Sequence, residues 1–126
     1  NEYKKFKNKK FFKVYKNLVL NDFYSLLKYS KLLLGNSSCG ILECGYFKKY
    51  AINLGIRQEG RVCLNNVYHL PHNSNKIFSK INEIINKPKI KDRVLLYGKG
   101  NSAKKIIDIV LNNHDKNNLI KKKFII

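Results

Sequence analysis

Short apolar runs alternate along the chain with polar turns and with stretches of helical periodicity. Short runs of apolar, aromatic and β-branched residues predict strands at residues 11–15, 31–34, 50–55 and 67–70. Apolar positions at helical spacing predict helices at residues 22–30, 40–47, 73–86 and 103–111, and a short helix in the tail around Leu119 and Ile120. Strands that alternate with helices in this way are typical of a parallel sheet covered by helices. The sequence therefore predicts a Rossmann-like, three-layer α/β fold, with residues 1–126 as one domain.

The turn after the predicted strand at 31–34 carries the first candidate chemistry. It is the segment Gly35-Asn36-Ser37-Ser38-Cys39-Gly40, at the start of a predicted helix. Ser37 and Ser38 are suited to cap that helix, and the free N–H groups of a first helical turn attract phosphate oxygens. The glycines, Gly40 included, would let a ligand approach the backbone. The alternative is an ordinary strand–turn–helix connection, since most such turns hold no phosphate.

A second candidate segment follows the next predicted strand. Arg57 and Arg61 stand four residues apart in this polar loop, in a chain whose other cations are almost all lysines. A guanidinium group makes planar, bidentate contacts with phosphate, whereas the alternative is two surface ion pairs, with Glu59 as a partner. Ligands of parallel sheets bind at the carboxyl ends of the strands. Both segments follow consecutive strands, and we expect them to open onto the same edge.

Glu43 lies five residues after Ser38, in the predicted helix. A carboxylate at this place can accept hydrogen bonds from both hydroxyls of a ribose, as in dinucleotide-binding folds. Its alternative role is that of a first-turn acid favoured by the helix dipole. The chain shows no general acid–base pair and no histidine beside a nucleophile, so no catalytic residue is assigned. These residues by themselves indicate a domain that holds a nucleotide.

The composition argues against nucleic-acid binding, a disulfide framework, a metal site and a membrane span. The net charge is +18, but only three of the 26 basic residues are arginines, and lysine, asparagine and isoleucine are abundant throughout. This pattern indicates a bias toward A/T-rich codons, so no nucleic-acid partner is expected. Three cysteines without paired spacing and three scattered histidines predict neither a disulfide framework nor a metal site. No apolar run reaches the ~20 residues of a membrane span. We expect a cytoplasmic protein, and a piece of a longer one because methionine is absent.

With these motifs laid out, the chain resembles the C-terminal half of the hydrolysing UDP-N-acetylglucosamine 2-epimerases, above all the epimerase domain of the bifunctional epimerase/kinases of sialic acid synthesis. The resemblance runs from about residue 11 to the end. It rests on matches in order and spacing, namely Gly35–Gly40, Glu43, Ile52–Gly55, Arg57-Gln58, Gly60-Arg61, Asn66-Val67, Tyr97-Gly98, Gly100-Asn101 and Lys121–Phe124. Lys48-Lys49-Tyr50 departs from the Gly-x-Pro that is usual in the family, and Lys99 replaces an acidic residue.

The resemblance implies the C-terminal domain of a glycosyltransferase-B-like fold and the conversion of UDP-N-acetylglucosamine and water to N-acetylmannosamine and UDP. It implies that Ser37, Ser38 and Arg57 hold the diphosphate, Glu43 the ribose, and Leu18 and Phe23 the uracil, with Gly40 and Arg61 as further candidates. It also implies a separate N-terminal domain that carries the catalytic groups, a homo-oligomeric complete enzyme and no cofactor. Two alternatives remain, the donor domain of a glycosyltransferase-B-type glycosyltransferase and a non-catalytic fragment that only binds UDP.

Overall fold

Three short strands form a parallel sheet in a computed structural model that describes residues 2–93 and 95–112. The strands are β1 (Leu32–Gly35), β2 (Tyr50–Leu54) and β3 (Val67–Leu70), and β2 lies between the other two. The helices of the same unit, residues 1–94, are a 3-10 helix (Glu2–Phe6), α1 (Leu20–Tyr29), α2 (Cys39–Leu42) and α3 (Ser74–Ile85). The second unit, residues 95–126, contains α4 (Ser102–Asn112).

The strand register separates two faces of the sheet, because successive side chains of a strand point to opposite sides. Leu33, Ala51 and Val67 are paired across the three strands and pack with Leu27 of α1 and with Cys44, just after α2. Tyr68 belongs to the opposite face, where two lysine side chains from α3 and its end, Lys80 and Lys87, lie over its ring. Helices therefore cover both faces, and the predicted three-layer α/β fold is confirmed.

The central strand supplies most of the fully buried surface. Ala51, Ile52 and Asn53 are each at most 3% exposed, and Ile52 and Cys44 are the largest side chains with almost no exposure. A buried run is expected of a strand that is covered on both faces and flanked on both sides. Asn66 fixes the start of β3 to β2, because its Nδ2 donates to the Lys49 carbonyl at 2.9 Å and its own carbonyl accepts from Ala51.

The predicted strand at residues 11–15 is wrong. This segment is irregular, and Phe11, Val14 and Tyr15 are more than half exposed. A strand needs a neighbour that takes its backbone hydrogen bonds, and no described strand pairs with this segment. The other three predicted strands are present within a residue or two of the predicted bounds.

The helix predicted at 40–47 is a single helical turn, Cys39–Leu42, followed by successive turns to Lys48. Gly45, a poor helix former, lies in those turns. The sequence also predicts Ile41, Cys44 and Phe47 as the packing side of this segment, and this is confirmed, since Ile41 and Cys44 are buried and Phe47 packs against the core. The side chains that contact the sheet thus follow the expected spacing without a regular helix.

The ends of the longer helices test the predicted capping residues. The sequence predicts a cap at Asn73-Ser74-Asn75 for α3, and the Asn73 side chain accepts from the Lys76 N–H at 2.9 Å at the start of that helix. It also predicts Asn21-Asp22 as the cap of α1. That prediction is wrong, because α1 begins two residues earlier and its N-cap is Val19, which has no capping side chain. The sequence also predicts an apolar face for α3 that includes Phe78 and Ile84. This face is only partly covered, since Ile84 is buried whereas Phe78 is 66% exposed.

The described part of the second unit contains one helix. Helix α4 spans Ser102–Asn112, close to the predicted bounds, and its apolar residues are exposed in the described structure. Leu95–Tyr97 are irregular, and the helix predicted around Leu119 and Ile120 lies outside the described residues. None of the helices described is long and apolar enough to cross a membrane.

Burial of Cys44 makes the stability of the fold depend on pH in the alkaline range. Loss of solvation raises the pKa of its thiol from 9.0 to about 12, and the charges of Cys39 and Glu43 add to the effect. Above pH 9 the unfolded thiol ionises while the folded thiol stays protonated, so the unfolded state binds fewer protons and stability falls as pH rises.

Comparison with Cys44→Ala isolates this contribution. We expect the stability advantage of the wild-type chain over the variant to shrink by up to about 1.4 kcal/mol for each pH unit above 9. Urea unfolding at pH 8, 9 and 10 measures it. Cys63→Ala is the control, because that thiol is partly exposed, and a pH-independent advantage of Cys44 would contradict the prediction.

Candidate functional site

The loops after β1 and β2 are held together at the carboxyl edge of the sheet. The Gln58 Nε2 donates to the Asn36 carbonyl at 3.0 Å, across 22 residues of sequence. Gln58 is 4% exposed, so this bond is protected from water. The prediction that both loops lie at the same edge is confirmed. We call these two loops, residues 35–43 and 55–61, the edge site.

The two serines of the first loop have different surroundings. The Ser37 Oγ accepts from the Cys39 N–H at 3.4 Å and from the Cys39 thiol at 3.1 Å. Ser38 occupies the N-cap position of α2, but its side chain makes no capping hydrogen bond. The predicted cap is therefore contributed by Ser37 and not by Ser38. Because α2 is one turn long, a bound anion would be held by loop N–H groups and hydroxyls and not by an extended helix dipole.

Gly40 is buried and acts through packing. A Cβ atom at this position would lie 3.3 Å from the Leu33 side chain and 3.4 Å from Ala51. The missing side chain lets α2 sit close against β1 and β2, which places the loop before it at the sheet edge. Its predicted role of letting a ligand approach the backbone remains a prediction.

Glu43 ends α2 with one carboxylate oxygen unpartnered. Its Oε2 is buried and has no hydrogen-bond donor among the described residues. Burying a polar oxygen without a donor costs free energy, and such groups mark places where a ligand or water supplies the missing bond. Glu43 is therefore available to accept hydrogen bonds from a hydroxyl-bearing ligand.

Both arginines of the second loop are exposed. Within the described residues neither Arg57 nor Arg61 forms an ion pair, and Glu59 forms none. The loop is shaped by tight turns, in which the Glu59 N–H donates to Ile56 and the Arg61 N–H to Gln58. The surface ion pairs that were the alternative for these arginines are absent from this part of the chain, which leaves both guanidinium groups available to an anion.

Leu18 and Phe23 have different surroundings in the described structure. Leu18 is about one-third exposed and lines a shallow groove of about 340 Å³ with Tyr15, Asp22 and Leu26. Phe23, on α1, packs against the core cluster of Leu27, Cys44 and Ala51. Their assignment to a uracil pocket remains a prediction.

Two buried amides at the sheet edge, Asn53 and Gln58, lie in matched motifs but had no role assigned to them from the sequence. The Oε1 of Gln58 and the Oδ1 of Asn53 are both buried without a donor in the described structure. The Asn53 Nδ2 donates to the Gly55 carbonyl at 3.3 Å and lies 3.0 Å from the His69 Nδ1. The available signal was an asparagine at the centre of an otherwise apolar strand, because a buried amide in a strand needs specific partners.

Gly55 begins the second loop in a conformation that favours glycine. Its φ is +70°, and a Cβ atom would lie 2.7 Å from the His72 Nε2. Only glycine adopts such a φ readily, and its lack of a side chain admits the imidazole ring beside the backbone. The turn out of β2 therefore depends on this residue.

Comparison with known proteins gives the family context of this geometry. Residues 1–111 match the family model described as UDP-N-acetylglucosamine 2-epimerase. The chain is 33% identical over 98 residues to the UDP-N,N'-diacetylbacillosamine 2-epimerase (hydrolyzing) of Legionella pneumophila, an alignment that covers 78% of this chain and 26% of that protein.

Two further relatives match shorter segments. The chain is 44% identical over 55 residues to the GDP/UDP-N,N'-diacetylbacillosamine 2-epimerase (hydrolyzing) of Campylobacter jejuni, which covers 44% of this chain and 14% of that protein. It is 34% identical over 61 residues to the UDP-N-acetylglucosamine 2-epimerase of Neisseria meningitidis, which covers 48% of this chain and 16% of that protein. The chain thus spans about a quarter or less of the length of these relatives.

Proposed function

The chain belongs to the UDP-N-acetylglucosamine 2-epimerase family, and from this premise we propose that it forms the UDP-binding part of a hydrolysing epimerase. The relatives are named for UDP-N-acetylglucosamine and for UDP-N,N'-diacetylbacillosamine. We therefore propose a UDP-linked N-acetylated sugar as the substrate, with UDP-N-acetylglucosamine as the specific candidate and amino-sugar synthesis of the sialic acid type as the route.

The observation that carries the proposal is the buried, unpartnered Oε2 of Glu43. A ribose offers two adjacent hydroxyl donors, and an ionised carboxylate can accept from both. The Oε1 of Gln58, which also has no donor in the described structure, adds a second acceptor in the edge site. Acceptors without donors favour a ligand rich in hydroxyl groups, as a nucleoside is.

The positive charges of the edge site are complementary to the diphosphate of UDP. Arg57 and Arg61 are exposed and form no ion pair within the described residues, so they can neutralise a diphosphate. The Ser38 hydroxyl makes no capping bond, which leaves it available to a phosphate oxygen, and the Ser37 hydroxyl can donate while it accepts from Cys39.

In the proposed reaction this chain holds the leaving group. Anti-elimination breaks the bond between the sugar and the diphosphate and gives a 2-acetamidoglucal, and water then adds to yield N-acetylmannosamine. Binding both phosphates at the edge site stabilises the negative charge that UDP gains as the bond breaks. We place the groups that remove and return protons on a separate N-terminal domain of the complete enzyme.

Calorimetric titration with UDP tests the proposal. We expect the wild-type chain to bind UDP, and we expect Glu43→Ala and Arg57→Ala each to weaken binding about tenfold, or about 1.4 kcal/mol. Loss of the Glu43 acceptor removes the ribose contact, and loss of the guanidinium removes a phosphate contact.

Matched substitutions separate these contacts from general effects of charge. Glu59→Gln removes a carboxylate from an exposed position of the same loop, and Arg93→Ala removes a guanidinium that lies over the Tyr46 ring. Both controls should leave UDP affinity within about twofold, roughly 0.4 kcal/mol. Unchanged affinity in both Glu43→Ala and Arg57→Ala would exclude the proposed site.

A further inference from the structure

A second concave surface lies at the opposite edge of the sheet from the edge site. It has a volume of about 370 Å³ and is formed by the end of α1, the start of β1, the turn before β2 and the segment after α3. Since the strands are parallel, this is the edge at which β1 and β2 begin, whereas the edge site lies where they end. We call this cavity the basic pocket.

Lysine is concentrated in the basic pocket. Six of its fourteen lining residues are lysines and none is acidic, although lysine makes up less than a fifth of the whole chain. These six are Lys28, Lys31, Lys48, Lys49, Lys87 and Lys89. Like charges gathered in a concavity repel one another, and the shape focuses their field on an anion inside it. A general excess of lysine on the surface does not account for this convergence.

Three of these lysines are not neutralised by protein groups. In the part of the chain that the structure describes, none of Lys31, Lys49 and Lys89 forms an ion pair. Burial lowers the pKa of Lys49, and repulsion from Lys89 and Lys31 lowers it further. All three side chains line the same cavity, so their positive charges converge there. Lys87 differs, because its Nζ is paired with Glu83 and also donates to the Tyr68 hydroxyl.

The walls of the pocket are fixed by hydrogen bonds between distant segments. The Lys48 Nζ donates to the Lys91 carbonyl, and the Tyr50 hydroxyl donates to the Pro88 carbonyl at 3.2 Å. Lys48 has a φ of +59°, a left-handed conformation that is uncommon for a residue with a side chain. These bonds hold the segment after α3 beside the turn before β2, and that turn carries Lys48 and Lys49 to the pocket.

We propose that the basic pocket binds a small anion that carries several phosphate charges, at a site separate from the edge site. Three unpaired ammonium groups exceed what a single carboxylate would neutralise, and ammonium groups bind phosphate as point charges. A volume of about 370 Å³ lies within the range of small-molecule sites. The proposal does not depend on UDP binding at the edge site.

Titration of the 126-residue chain with inorganic tripolyphosphate tests the proposal. The titration uses the Glu43→Ala/Arg57→Ala background, so that the edge site does not contribute. We expect binding to persist in this background. Adding Lys31→Gln and Lys89→Gln should weaken binding at least tenfold, because both side chains are exposed lysines of the pocket.

The control adds Lys7→Gln and Lys10→Gln, which remove the same charge from exposed lysines outside the pocket. We expect less than a twofold change. Equal weakening by the two pairs would show a general attraction to a cationic chain and would overturn the proposal. Loss of binding in the Glu43→Ala/Arg57→Ala background would also overturn it, since the anion would then occupy the edge site.

A second measurement keeps the test independent of variant stability. Amide resonances of the wild-type chain are followed by NMR as tripolyphosphate is added. Shifts concentrated at residues 48–50 and 89–90 support the proposal, and shifts confined to residues 35–43 and 55–61 contradict it.

Discussion

Replacing Ile52 by alanine is expected to lower the free energy of unfolding by about 3 to 4 kcal/mol. Ile52 has no exposed surface and lies on the central strand, between Leu34 and Tyr68 in the sheet register. The substitution removes three carbon atoms from a site that is covered on both faces and cannot easily collapse. Chemical denaturation followed by circular dichroism measures the change.

Ile56→Ala is the matched control for this prediction. Ile56 follows β2 by two residues and is 76% exposed, so the same substitution should change stability by no more than about 0.5 kcal/mol. A loss of less than about 1 kcal/mol for Ile52→Ala would contradict the packing described for the sheet. The contrast also tests the position of the carboxyl end of β2, where the edge site begins.

Replacing Gln58 by glutamate is expected to cost about 3 kcal/mol or more at pH 7. The wild-type Nε2 donates to the Asn36 carbonyl from a position that is 4% exposed. An ionised carboxylate there cannot donate, faces a carbonyl oxygen and is removed from water. The two loops of the edge site would lose their link, and we expect UDP affinity to fall with stability.

The pH dependence distinguishes this cause from a general packing defect. Burial raises the pKa of a carboxyl group that lacks a compensating charge, and the protonated form can donate to the carbonyl as the amide does. The deficit of Gln58→Glu relative to wild type should therefore be largest above pH 7 and shrink as pH falls toward 4. Gln58→Ala carries no titratable group, so its deficit of about 1 to 3 kcal/mol should not vary with pH.

Glu59→Gln provides the reciprocal control, because it makes the opposite exchange at the next, exposed position. We expect stability to stay within about 0.5 kcal/mol of wild type. A Gln58→Glu variant as stable as wild type at pH 7 would show that the bond to Asn36 does not hold the loops together.

The two proposed anion sites have different physical characters. The edge site combines arginine with buried, unpartnered oxygens of Glu43 and Gln58, which suits a ligand that has both phosphates and hydroxyls. The basic pocket offers ammonium groups and no acidic residue among its lining, which suits phosphate charge alone. UDP and tripolyphosphate are therefore informative probes, each chosen for one site.

Local sequence patterns were sufficient for most of the elements. Strands β1, β2 and β3 follow from short apolar runs that end in turn residues, and the start of α3 follows from the capping side chain of Asn73. Each of these patterns involves only a few consecutive residues, so the elements can be predicted from them without the tertiary structure. They failed at residues 11–15, where an apolar run has no pairing strand in the described structure, and in α2, which ends after one turn.

Only some features of the edge site could be predicted from local sequence patterns. Parallel strands bring the loops after β1 and β2 to one edge, so the segments that carry Ser37, Ser38, Glu43 and Arg57 could be predicted together. The burial of the Glu43 oxygen and the role of Gln58 depend on contacts between residues far apart in the chain.

The amino-acid sequence by itself therefore determined the α/β class, the main elements and the family of this protein, because periodicity, turn residues and spaced motifs are local properties. Only the tertiary structure decided which polar atoms lose their contact with water and which lysines converge. The Gln58–Asn36 bond spans 22 residues, and the basic pocket joins segments from Lys28 to Ile90. Burial and charge density arise when the chain folds, and they assign chemistry to residues that look ordinary in the sequence.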